Sequence, residues 1–107
     1  MGTTKANLFT KQQNDLANMA KALANPARIA VLEYLLKVRN TLCGDIVAEL
    51  GLAQSTISQH LLELKNAGLV QGIADGITVH YCIDPEGWAK YRFVLLGFFV
   101  DAPGGND

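Results

Sequence analysis

In the stretch QSTISQH, residues 54–60, five of seven positions carry an amide or a hydroxyl: Gln54, Ser55, Thr56, Ser58 and Gln59. Such side chains donate and accept hydrogen bonds but contribute little to an apolar core. An amide of the Gln54 or Gln59 kind can bond an adenine edge at two points. Hydroxyls such as Ser55 and Ser58 can reach a base or a phosphate, and Thr56 is placed for a phosphate. Set on a 3.6-residue helix, Ile57, Leu61 and Leu64 fall on one side. Ser55, Gln59, Leu62 and Asn66 fall opposite, with Ser58 and Glu63 on the flanks. The polar side is therefore an outward face, either merely solvated or shaped for a partner. His60 sits at the edge of the buried side, where it either touches a phosphate or serves as a boundary residue. Lys65 and Arg28 are the nearest candidates for charge contacts.

Several elements must hold that face in place. Thr10 is a plausible N-cap for a helix running to Ala24, with Leu16, Met19, Ala20 and Leu23 at helical spacing. The stretch NPARIAVLEYLLKV restarts a helix: Asn25 caps it, and Pro26 suits a first position whose N–H would be unpaired anyway. Ile29, Leu32, Leu35 and Leu36 are its expected buried stripe. RNTLCG leaves room for a very short strand, and GDIVAEL makes two helical turns ended by Gly51. After the 54–66 helix, two strands are expected around an Asp75-Gly76 turn. Ile77, Val79, Tyr81 and Ile83 alternate inward there, and Thr78, His80 and Cys82 outward. Asp84 and Pro85 then open a last helix whose second half is apolar nearly all round. A 107-residue chain can cover only one side of such a helix, so a second subunit is the economical cover.

The chain is expected to form one domain over residues 1–100, with DAPGGND at 101–107 a disordered tail. Its longest apolar run, FVLLGFFV, has eight residues, far short of the ~20 that span a bilayer. The first 15 residues lack a signal-peptide pattern. Two cysteines 39 positions apart make no disulfide framework, so a reduced, cytoplasmic setting is expected. Nine Lys and Arg against ten Asp and Glu give a net charge of −1. That argues against an indiscriminate polyanion binder, yet leaves room for a reader whose few cations share one face.

Two short helices joined by GLA, the second polar outward, followed by a β-hairpin, make a winged helix-turn-helix pattern. The fold class is thus mostly α with a β-hairpin wing. Three stretches together resemble the ArsR/SmtB family of bacterial repressors over about residues 22–88: LANPARIAVLEYLL, CGDIVAELGLAQSTISQHLLELKNAGLV and GITVHYCIDPEGW. The resemblance implies a homodimer that sits on an inverted repeat of double-stranded DNA near a promoter and is released by an inducer. The DNA face would then comprise Gln54, Ser55, Thr56, Ser58, Gln59 and His60, with Lys65 and Arg28 on the backbone. The dimer surface would come from the N- and C-terminal helices through Leu16, Met19, Leu23, Tyr91, Phe93, Leu95, Leu96, Phe98 and Phe99.

Three departures from the family pattern stand out. The wing QGIADGITVH has no Lys or Arg and carries Asp75, which predicts a shallow salt dependence of DNA binding. Ala53 stands where a small hydroxyl residue usually caps the recognition helix, a loss of about 1 kcal/mol. Metal-sensing relatives carry a Cys-x-Cys pair near the helix that starts here at Gly44, or Asp/His and His/Glu pairs on the last helix. This chain offers Cys43 alone, and its last helix has no histidine and only Glu86 as a carboxylate. Neither usual metal site is therefore expected, no cofactor is expected, and the inducer stays unidentified.

A short strand near residues 41–43 pairing with the second wing strand would bring Cys43 towards His80 and Cys82. That thiol–imidazole–thiol set could hold a soft metal or form a reversible disulfide. The alternative is that Cys43 is a small buried hydrophobe and that His80 and Cys82 face solvent. No Gly-rich phosphate loop and no supported Ser/His/Asp set is present, so no enzyme is expected. The rival to DNA binding is a winged-helix module that binds protein. A positive rim from Arg28 and Lys65 favours DNA, and an acidic rim from Asp45, Glu49 and Glu63 favours a protein.

Overall fold

The computed structural model describes residues 8–100; the expected tail at 101–107 lies outside the described residues. Helix α1, Lys11–Leu23, starts at a complete capping box. Thr10 Oγ1 accepts from the Gln13 amide at 3.0 Å and the Thr10 amide donates to Gln13 Oε1 at 2.9 Å. Helix α2, Pro26–Val38, is capped by Asn25, whose Oδ1 accepts from the amides of Ala27 and Arg28. Strand β1, Thr41–Leu42, leads straight into helix α3, Cys43–Leu50. Gly51 ends α3 at φ 69°, a left-handed position that a side chain would strain. Helix α4, Gln54–Asn66, precedes strands β2, Val70–Asp75, and β3, Thr78–Ile83; helix α5, Pro85–Phe99, closes the chain.

The three antiparallel strands lie in the order β1-β3-β2. Thr41 faces Tyr81 and Leu42 faces His80 on one side of β3, while Val70 faces Ile83 and Asp75 faces Thr78 on the other. The core lies where α2, α3 and α4 meet the root of the sheet. Its fully buried members include Val31, Leu35, Ile46, Ile57, Leu61, Leu64, Leu69 and Val70. The stripe expected on α4 is the one observed, since Ile57, Leu61 and Leu64 all point inward.

Three expectations need correction. In α2 the buried residues are Val31, Leu32 and Leu35, whereas Ile29 and Leu36 are exposed. The helix is apolar over most of its circumference, and docking turned it towards Val31. The wing turns through Gly76 and Ile77, one residue later than expected, so Ile77 is fully exposed at the tip instead of inward, and Val79, also expected inward, is exposed. Gly76 adopts φ 65°, the conformation that this tight turn requires. His80 and Cys82, expected outward, are half-buried beside Tyr81 and Ile83.

Within the expected dimer set, Met19 and Tyr91 belong to the core of the single chain. Tyr91 is 8% exposed, its hydroxyl donates to the Ala67 carbonyl at 2.7 Å, and burial raises its pKa above the ordinary phenol value. Leu16, Leu23 and Leu95 are half-buried. Phe93, Leu96, Phe98 and Phe99 are exposed, Phe93 to 82%.

Candidate nucleic-acid interface

Helix α4 is held from behind by its leucine and isoleucine stripe, so the opposite face points away from the protein. Gln54, Ser55, Thr56, Ser58 and Gln59 are all exposed along its first two turns. The helix starts without a side-chain cap, because the N-cap residue Ala53 has no acceptor to offer. The first intrahelical bond runs from the Ile57 amide to the Ala53 carbonyl at 3.0 Å. The amides of Gln54, Ser55 and Thr56 are therefore the open donors at the positive end of the helix, where anions are favoured.

Two contacts tie the polar face to its surroundings. Gln59 Nε2 donates to Glu63 Oε2 at 3.0 Å, one turn further along. This carboxylate occupies the donor that an adenine contact would need. It also places an acidic group at the edge of the face, as the sequence allowed. Cys43 Sγ lies 3.7 Å from Ser58 Oγ, joining the first residue of α3 to the polar side of α4.

The remaining candidates scatter. Lys65 is exposed near the C-terminal end of α4. Arg28 is half-buried, and its Nη1 donates to the Ala22 carbonyl at 3.2 Å. His60 is half-buried, with its Nδ1 buried and without a hydrogen-bond partner. Asp45 and Glu49 are exposed on α3. The Asp45 carboxylate accepts from Thr41 Oγ1 at 3.2 Å and turns back to the Leu42 amide, so it helps to cap α3.

The pairing of β1 with β3 is as expected, but it does not assemble the thiol–imidazole–thiol set. Leu42, not Cys43, stands opposite His80. Cys43 opens α3 and turns to Ser58, while Cys82 Sγ accepts from Gln71 Nε2 at 3.5 Å on the far side of β3. Among the described residues no group of three or more His, Cys, Asp or Glu side chains could hold a metal ion. Sequence reasoning missed the Gln59–Glu63 bond, although an amide four residues before a carboxylate on one helix is a readable signal for it.

Comparison with known proteins agrees with this geometry. Residues 25–71, from the cap of α2 to the start of β2, match the family described as bacterial regulatory protein, arsR family. The chain is 37% identical over 85 residues to the nodulation protein NolR of Rhizobium meliloti, covering 79% of this chain and 69% of that one. It is 36% identical over 74 residues to the transcriptional regulator CmtR of Mycobacterium bovis, covering 67% of this chain and 60% of that one. The chain thus spans less than two thirds of CmtR. A homodimeric winged helix-turn-helix DNA-binding domain from the same organism, described as a possible ArsR-family regulator, superposes with a TM-score of 0.67 at 28% identity, covering 100% of this chain and 95% of that one.

Proposed function

This chain belongs to the ArsR family of bacterial regulatory proteins, and we propose that it is a dimeric repressor that reads an inverted-repeat operator through α4. As a family member with this fold it is a transcriptional regulator and not an enzyme. No helix among the described residues is long and apolar enough to cross a membrane.

One observation carries the reading. The outward face of α4 combines exposed amides and hydroxyls with an uncapped, donor-rich N-terminus. Placed in a major groove, Gln59 and Gln54 would read adenine edges. Ser55 and Ser58 would reach bases or phosphates, and Thr56 with the open amides would hold a phosphate. Gln59 must exchange Glu63 for the base, which costs a bond and narrows the choice of site.

The dimer would form through α1 and α5. Phe93, Leu96, Phe98 and Phe99 leave a large apolar surface on α5, of the kind that marks an interaction face. A two-fold partner there would set the two α4 helices about 34 Å apart, one turn of DNA. Selection of purified chain against a random duplex library tests the reading. Enrichment of an inverted repeat supports it, and no enrichment with reduced protein, with and without added zinc, overturns it. The inducer would bind outside the metal positions usual in the family. Stoichiometric metal binding that abolished DNA affinity would contradict that.

A protein-binding module is the second reading, and the wing favours it. Ile73, Ile77 and Val79 are exposed there with no cation on the hairpin. Enrichment of DNA would decide against it.

A further inference from the structure

Helix α5 has two apolar sides, and its own chain covers one of them. Trp88, Tyr91, Val94 and Leu95 pack against the core. Ala89, Arg92, Phe93, Leu96, Gly97 and Val100 recur at intervals of three and four, so they form the opposite stripe. Those six residues, all from α5 and its C-cap, line a hollow of about 690 Å³.

The stripe carries a knob and a notch. Phe93 is its most exposed apolar side chain. Gly97, one turn further on, is the notch, since a Cβ built there meets nothing within 4 Å. Glycine inside a helix costs stability, and here neither a positive φ nor a neighbour in its own chain requires it. Gly97 also borders a second hollow, of about 350 Å³, between α1 and α5, so the notch is open on two sides. What a glycine permits at such a place is the close approach of another chain.

Knob and notch on one stripe make the face complementary to itself. A two-fold axis between them, perpendicular to the helix, sets α5 antiparallel to its copy and brings each Phe93 to the other's Gly97. Leu96 then packs at the crossing, while Arg92, the single charge of the stripe, lies at its margin. A different partner would have to present both features at the same spacing, whereas a second copy presents them by symmetry. We propose that the α5 helices of two copies cross antiparallel at Gly97, with Phe93 of each seated in the notch of the other. The pairing rests on the dimer proposed above and gives that dimer its register.

Sedimentation equilibrium of the full chain, reduced and without DNA, tests the pairing. Wild type should be a dimer. Phe93→Ala leaves two notches empty and Gly97→Leu fills both, so each should weaken the dimer at least tenfold. A mixed dimer of the two variants keeps one native Phe93–Gly97 pair and sets the small new side chain against the large one in the other. It should be at least tenfold tighter than the dimer of either variant alone. Gly97→Leu meets nothing in its own chain and favours the helix, so it keeps the test valid if Phe93→Ala fails to fold. On mild oxidation, Phe93→Cys mixed with Gly97→Cys should crosslink well beyond either variant alone, and beyond wild type with its two native cysteines. Phe93→Cys crosslinking as well with itself would mean a parallel crossing and overturn the proposal. A wild-type dimer that both variants leave intact, or that mixing them does not restore, also overturns it and leaves the dimer reading standing. A monomeric wild type overturns both.

Discussion

At its N-terminal end α4 leaves Ala53 without a side-chain acceptor, and its first two turns face solvent with uncharged polar groups. At its C-terminal end, Tyr91 donates to the Ala67 carbonyl, the Asp84 amide donates to the Leu69 carbonyl at 2.9 Å, and Gly87 seats α5 against Gly68. The free end carries little of the stability and is available for recognition. The held end fixes where the helix points and passes on whatever happens to α5. Substitutions at the free end should therefore change DNA affinity, with or without a change of stability, whereas those at the held end should change stability first.

Gly87→Ala should have the largest effect. In an ordinary helix this change stabilises by up to about 1 kcal/mol. Here the new methyl meets backbone, and a net loss of about 3 kcal/mol is expected in urea unfolding. A stabilised variant would show that α5 does not sit tightly on the end of α4.

Ala53→Ser supplies the missing acceptor at the other end. Unfolding should become about 1 kcal/mol harder, while the new cap competes with phosphate for the same amides. Higher stability with weaker duplex binding is the expected pair of results, and higher stability with unchanged binding would remove the open amides from the interface.

Tyr91→Phe removes one hydrogen bond and should cost about 1 kcal/mol. The wild-type protein adds a pH signature. Because burial raises the Tyr91 pKa from 10.0, the folded state keeps its proton after the unfolded chain begins to lose it. That contribution is fully present below pH 10.0 and is lost as pH rises through the raised folded value. Alkaline unfolding curves of wild type and Tyr91→Phe should converge as pH climbs past that point.

The smallest effect is expected from Glu63→Gln. It loosens the hold on Gln59 and removes a negative charge beside the groove, so specific duplex affinity should rise by about two- to threefold. A fall in affinity would mean that Glu63 orients Gln59 for its partner.

What was legible in the sequence was mostly local. Thr10, Asn25 and Asp84 signalled their helices because a capping side chain bonds amides two or three residues away. The Ile57, Leu61 and Leu64 stripe was legible because the other side of α4 is plainly polar. Helix α2 has no such contrast, so which apolar residues turned inward was settled by docking against α3 and α4; Val31 won over Ile29 and Leu36. Tyr91 belongs to the core of the single chain, which a mostly apolar helix such as α5 does not reveal, because its sequence does not say which side its own chain covers. Of the candidate site, the face itself was readable, whereas the destination of Arg28 depended on how α1, α4 and α5 close around it. Of the two readings of Cys43, the small hydrophobe is the nearer: it packs against the core and begins a helix instead of ending a strand, which turns its thiol towards Ser58.

The most direct measurement is the affinity of wild type and Gln59→Ala for the selected operator and for a scrambled duplex, each across a range of salt. If α4 reads bases, the variant loses about ten- to hundredfold on the operator. It should bind the scrambled duplex as before, with an unchanged salt slope. An equal loss on both duplexes, or no loss on either, would contradict the assignment of α4 as the reading helix.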